Sequence, residues 1–334
     1  FVTAMMAFFL LMWLLGSTTE GDKKGIADYF NTPLKVAMFG GSGAGDRGGR
    51  APMTGVPEVV AVITIVSGRH RHLRRQLEAF AHSTRRPDLH FVVAMDDPDI
   101  TSVTDGHPVE VIRFANDDPD TLQLADARNA GATAAMTAGA SLLVFLDVDC
   151  IPGREMIGRY VAAHRRADRP ALLCGPVTYL PPARGGYPLD RLDQLTDPHP
   201  ARPAPPPGVL QPEPNHNLFW SLSFAVTAGT WRRIERDFGG FDPTFEGYGG
   251  EDTDFARELQ RRRIPLVWVG GAHAYHQWHP VSSPPWEHIK DIVANANRFH
   301  DKWGTFPMEG WLEAFEAEGA VEKQDAPNRY ILRK

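Results

Sequence analysis

Short unbroken apolar runs alternate along this chain with segments whose apolar residues recur every three or four positions, the pattern of buried strands joined by amphipathic helices. Val59 to Val66 is continuous and mostly β-branched and predicts a first strand, followed by the basic turn Ser67 to His72. Leu73, Leu77 and Phe80 then recur at helical spacing. His90 to Met95 and Val109 to Phe114 predict two more strands, and the Ala-rich stretch from Asp120 to Ala138 predicts a helix stopped by Gly139. Leu142 to Leu146 is wholly apolar and short enough for a strand covered on both faces. Strands alternating with helices in this way argue for an α/β fold with a mainly parallel sheet and crossover helices.

The rhythm changes in the second half. Pro181 to Pro214 is rich in Pro and Gly without periodicity and reads as a long surface loop. Trp220 to Thr227 is strand-like, Thr230 is placed to cap a short helix running to Phe238, Glu251 to Arg263 reads as a helix, and Leu266 to Val269 as a strand. Ile289, Ile292, Val293, Ala296 and Phe299 mark an amphipathic helix, with Trp311 and Phe315 marking a second, so residues 286–334 are expected to form a helical extension of a domain at 53–285. Residues 1–52 are expected to stand outside that fold. Phe1 to Leu15 is apolar but shorter than a bilayer span and lacks a basic leader, and Gly40 to Gly49 resembles a linker. The segment reads equally as the remnant of a membrane anchor or as sequence ahead of a start at Met53. In the first case Lys23 and Lys24 favour the cytoplasmic face.

Composition narrows the function classes. Lys and Arg number 35 against 41 Asp and Glu, a net charge of −6, so no global basic field recruits nucleic acid. With Cys150 and Cys174 the only cysteines, a disulfide framework is unexpected and a cytoplasmic, reducing location follows. The Ala, Arg, Pro and Gly content suggests a high-GC bacterial source.

The charge is instead gathered in three clusters. Asp147 and Asp149 end the Leu142 to Leu146 run, at the strand edge where open α/β sheets bind ligands; two oxygen donors there suit a hard divalent cation carrying a diphosphate. Gly247-Tyr248-Gly249-Gly250-Glu251-Asp252-Thr253-Asp254 brings three carboxylates to a Gly-rich turn entering a helix. Helix capping explains the acids alone. It does not explain the permissive glycines, which let backbone approach a ligand, or Tyr248, which offers a flat face for a sugar ring. In the third cluster, His273, His276 and His279 recur at every third position. A zinc site of three imidazoles is one reading; one imidazole joining Asp149 around Mn²⁺, with Mg²⁺ as substitute, is more economical, and His276 is the first choice with His279 second.

The ordered set of first strand with basic turn, Leu124-Ala125-Asp126-Ala127-Arg128-Asn129-Ala130-Gly131, Phe145-Leu146-Asp147-Val148-Asp149, Gly249-Gly250-Glu251-Asp252 and His276 resembles glycosyltransferases of the GT-A fold. It resembles most the branch of the beta-1,4-galactosyltransferases and polypeptide N-acetylgalactosaminyltransferases, together with bacterial family 2 enzymes. The resemblance spans roughly Val59 to Pro280 and implies a Rossmann-like mixed sheet flanked by helices. It implies Asp149 and His276 as metal ligands and Asp147 at the ribose. Thr64, Val66, Arg69, Asp96, Arg128 and Asn129 would lie at a UDP-sugar donor of galactose or N-acetylhexosamine type. Glu251 and Asp252 would meet the acceptor hydroxyl, with Asp252 as general base, beside Tyr248, Gly249, Gly250 and Trp220. The retaining N-acetylgalactosaminyltransferases carry Asn where Asp252 stands, so inversion is expected, with Glu251 raising the proton affinity of Asp252. The acceptor is expected to be a glycan, glycolipid or small molecule. A retaining transferase, a sugar-nucleotide hydrolase, and a non-catalytic glycan-binding or nucleotide-binding module that stacks sugars on Tyr248, Trp220 and Trp278 are the competing readings.

Overall fold

The computed structural model describes residues 58–116, 118, 121–167 and 169–333; the expectations for residues 1–52 lie outside them. The first half follows the predicted order as β1 (Val60–Val66), α1 (His70–Phe80), β2 (Leu89–Met95), α2 (Ile100–Val103), β3 (Glu110–Phe114), α3 (Leu124–Thr137) and β4 (Leu142–Leu146). Then come β5 (Cys150–Pro152), α4 (Met156–Arg166), β6 (Leu172–Cys174), β7 (Val177–Tyr179), β8 (Leu210–Glu213) and β9 (Ser223–Thr227). The chain continues through α5 (Ala228–Phe238), α6 (Glu251–Arg261), β10 (Leu266–Val269) and β11 (Ala274–His276). It closes with α7 (Ile289–Trp303), α8 (Glu309–Ala317), β12 (Val321–Asp325) and β13 (Asn328–Leu332).

The fold is α/β, as expected, and its main sheet is mixed. Eight strands lie in the order β3-β2-β1-β4-β9-β6-β10-β8. Parallel pairing holds from β3 to β4, while β9 runs antiparallel to both β4 and β6, and β8 is an antiparallel edge. β6 and β10 pair in parallel again, so the expectation of a mainly parallel sheet holds, with β9 and β8 as the reversed strands. Every residue of β1 and β4 is buried, because helices cover both faces. Ala61 and Ile63 pack with Ala132 and Ala135 of α3 and with Trp231 and Phe255; the alternate residues Val60 and Val62 pack with Ile157 and Tyr160 of α4.

Three local expectations are corrected. The cap of α5 is Thr227, whose hydroxyl oxygen accepts from the Thr230 N–H, so the helix starts earlier than Thr230 and β9 begins at Ser223 rather than Trp220. The Pro-rich stretch contains β8, which pairs with β10. The C-terminal extension is only partly helical and ends in the β12–β13 hairpin, whose alternating polar residues hide a strand from an apolar-run reading. Among the described residues, no helix is long and apolar enough to cross a membrane.

Candidate functional site

Strand order reverses between β1 and β4, so the crevice outside their carboxyl ends is the ligand position that the topology favours. Asp147 to Asp149 leave β4 at that crevice. A second, three-stranded sheet of order β5-β11-β7 then fixes what meets them. Antiparallel register sets His276 opposite Cys150, and the Gln277 N–H donates to the Asp149 carbonyl at 2.7 Å. The His276 and His279 Nε2 atoms consequently lie 3.3 and 3.4 Å from the same Asp149 oxygen, Oδ2. One ligand atom from each of Asp149, His276 and His279 falls within 4.8 Å of the others. The other carboxylate oxygen, Asp149 Oδ1, is buried with no hydrogen-bond partner. A carboxylate, two imidazoles and an unsatisfied buried oxygen fit a first-row divalent cation. Burial opposes ionisation of Asp149, but the two imidazoles outweigh it and hold the carboxyl well below the usual carboxylate range.

The acidic turn is tied to the Asp147 segment through Arg128. Arg128 on α3, only 4% exposed, reaches Asp147 Oδ1 at 3.3 Å with one guanidinium nitrogen and Glu251 Oε1 at 3.2 Å with another. Asp252 has neither: its Oδ1 accepts only from the N–H and hydroxyl of its neighbour Thr253. Asp254 turns away to Lys302 and Trp303. One guanidinium thus balances two of three neighbouring carboxylates. Burial, then the charge of Glu251 against the pull of Arg128, raises Asp252 to about 7; burial, then the charge of Asp149 against the pull of Arg128, raises Asp147 to about 6. Capping does not explain Asp252, since Gly250 is the N-cap of α6 and no side chain caps it. Gly249 and Gly250 sit at φ +91° and +97°, backbone that a side chain strongly resists, and this sharp entry presents Asp252 at the helix start.

The remaining predicted residues divide. Val66 ends β1 but is buried in the core with Leu73 and Leu77, against the expectation of a donor contact, whereas Arg69 follows on the turn, exposed and at φ 48°. Asp96, after β2 and also at positive φ, accepts from the backbone N–H and side-chain amide of Asn116. Tyr248 is 38% exposed and stacks on His288, and Trp220 is half-buried beneath the Arg202 guanidinium. Thr64 is brought to the core instead: its hydroxyl donates to Gln76 Oε1, and Gln76 Nε2 in turn donates to the carbonyls of Asp147 and Cys150. Thr64 therefore reaches the acidic segment only through Gln76. Asn129 is fully engaged with the backbone of Phe241, donating to its carbonyl at 2.8 Å and accepting from its N–H at 2.9 Å.

Sequence reasoning missed three contributors. Gln76 braces the Asp147–Cys150 turn, and Tyr179 stacks on the His276 ring at 4.5 Å. Arg202 is 7% exposed, lies 4.0 Å over Trp220, and has Nε and Nη2 buried without a hydrogen-bond partner. Set in a Pro-rich stretch without periodicity, it carried no signal beyond being one more arginine.

Over most of its length this chain is similar in sequence to a glycosyltransferase. Validoxylamine A glucosyltransferase from Streptomyces hygroscopicus subsp. limoneus is 27% identical over 279 residues, which are 75% of this chain and 58% of that protein. The chain thus spans under three fifths of that relative's length. Among solved structures, GalNAc-T7 with UDP, GalNAc and Mn²⁺ is similar at 13% identity and a TM-score of 0.46, covering 78% of this chain and 57% of that one. S. aureus TarS 1–349 with UDP-GlcNAc is similar at 11% identity and a TM-score of 0.45, covering 72% and 66%. The start of the chain has a separate likeness. The family described as membrane MotB of the proton-channel complex MotA/MotB matches residues 1–34, and motility protein B of Escherichia coli is 54% identical over 41 residues, 12% of this chain and 13% of that protein.

Proposed function

We propose that this protein is an inverting, divalent-metal-dependent glycosyltransferase that moves a sugar from a UDP-sugar to an acceptor hydroxyl. The observation that carries the reading is Asp252. It makes no ion pair with Arg128, it holds a raised proton affinity, and it adjoins Glu251, which Arg128 links to Asp147, two residues from the Asp149 of the Asp149-His276-His279 cluster. A group of this kind accepts a proton near neutral pH. In the proposed reaction the acceptor oxygen bonds to the anomeric carbon while the carbon–oxygen bond to the diphosphate breaks, and the hydroxyl proton passes to Asp252. A cation, Mn²⁺ or Mg²⁺, held by Asp149, His276 and His279 would supply charge neutralisation for the departing diphosphate. Arg128 fixes Asp147 toward the donor ribose, and Arg69 and Asp96 border the nucleotide beyond the ends of β1 and β2, while Val66 stays in the core. Tyr248, the Gly249–Gly250 backbone and Trp220 border the acceptor. Thr64 and Asn129 serve this site by bracing the segments that carry it.

The test is a panel of nucleotide sugars with Mn²⁺, scored for nucleotide release with and without candidate acceptors, with the product anomer read by proton NMR. Sugar-dependent release that chelation abolishes and an inverted product are expected. Asp252→Asn should keep metal-dependent UDP binding and lose about a hundredfold or more of transfer. Full activity in that variant, or a retained anomer, removes the base from the mechanism.

A further inference from the structure

Beside the metal cluster, on the far side of His72, a cavity of about 470 Å³ opens between α1, the segment Pro182 to Tyr187, and Gln277–Trp278. Arg71, His72 and Arg75 of α1 line one wall and Arg184 faces them; no Asp or Glu lines it. Among the described residues, Arg71, Arg75 and Arg184 make no ion pair. Arg71 and Arg75 are four apart on one helix, where like charges repel, so their convergence is opposed by local energetics. The wall is nevertheless built in detail. The Arg75 guanidinium lies 5.4 Å over the Tyr187 ring and passes close to Gly186, whose φ of +87° is backbone that a side chain resists. Tyr187 is itself fixed, its hydroxyl accepting from the Trp278 N–H and donating to the Pro181 carbonyl. The Trp278 indole is 48% exposed.

Uncompensated guanidiniums in a concave site concentrate positive potential and present planar forks that match phosphate oxygens. The volume exceeds what a bare anion needs and falls in the range of small-molecule sites, and an open indole supplies a face for a ring. We propose that this cavity is a metal-independent recognition site for a phosphate group carried on a ring-bearing ligand. Gln277 joins it to the neighbouring cluster, since its N–H binds the Asp149 carbonyl while its side-chain amide donates to the His72 carbonyl at 3.0 Å. A phosphate held here therefore belongs either to the donor's diphosphate or to a phosphorylated second substrate. Only that choice of source rests on the transferase reading; the binding itself does not.

The experiment is calorimetric titration of the full chain in EDTA with inorganic pyrophosphate and with a hexose 6-phosphate, the unphosphorylated hexose serving as control. Both phosphates are expected to bind, and to bind about tenfold more weakly to Arg75→Ala/Arg184→Ala. Arg71→Ala/Arg184→Ala, which alters two exposed side chains, should show the same loss with an unchanged urea midpoint. Absence of binding up to about 20 mM, or equal binding by wild type and both variants, overturns the proposal. The source is read from UDP with Mn²⁺. Weakening in the double variants assigns the cavity to the donor's phosphates, and unchanged UDP affinity assigns it to a phosphate on the second substrate.

Discussion

Replacing Asp252 by Asn tests the electrostatics of the site apart from any activity. The carboxyl is raised from 3.8 to about 7 by burial and by the neighbouring charge of Glu251. A group whose folded value lies above its unfolded value contributes stability that is complete below the unfolded value, here about pH 4, and lost as pH rises through the folded one, here about pH 7. Three pH units correspond to at most about 4 kcal/mol. The side chain is partly exposed and shares its charge with Glu251, so about 1–2 kcal/mol is the expected net effect. Asn keeps the shape and the acceptor oxygen for Thr253 but does not titrate. Urea unfolding in EDTA, run as a series from pH 5 to 8.5, should therefore show the variant gaining about 1–2 kcal/mol over wild type as pH rises to about 7, then no further change. A stability difference independent of pH, or a variant weaker than wild type at pH 8, would refute the claim that Asp252 is an energetically unfavourable anion retained for chemistry.

Arg202→Met removes a buried guanidinium with two unpartnered nitrogens at the expense of its contact with Trp220; the metal-free protein should gain about 1 kcal/mol in urea while transfer falls, and a loss of stability would mean the Trp220 contact dominates. Asn129→Ala strips both hydrogen bonds from the Phe241 backbone and should cost about 2 kcal/mol in urea while UDP affinity with Mn²⁺ stays the same, whereas a large affinity loss at unchanged stability would return Asn129 to the donor.

The strands of the main sheet with long apolar runs were legible because burial on both faces writes itself as an unbroken sequence, as in β1 and β4. The small sheet was not. β5, β7 and β11 are three residues each, too short for any period, and what makes them strands is pairing with distant partners. That same non-local register decides the histidines. From the sequence, His276 ranks first and His279 second for a single place beside Asp149, whereas both imidazoles converge on Asp149 and His273 meets Thr178 instead. The acids of the Gly-rich turn were visible, but not their division of labour, which follows from the reach of Arg128 across to Glu251. Thr64 and Val66 share one face of β1, and because the strand is covered on both faces each is a core position rather than a ligand contact.

The pairing of β11 with β5 also orders events in time. Asp147 and Asp149 emerge at the end of β4, whereas the imidazoles that complete the cluster lie beyond the Pro-rich segment, α5, α6 and β10. A nascent chain carries the carboxylates before it carries their partners, so any cation that this cluster held would meet its full set of ligands only after every strand of the main sheet had been synthesised. The apolar contacts of the sheet do not wait for the cluster, and a cation bound there would tighten a frame built without it.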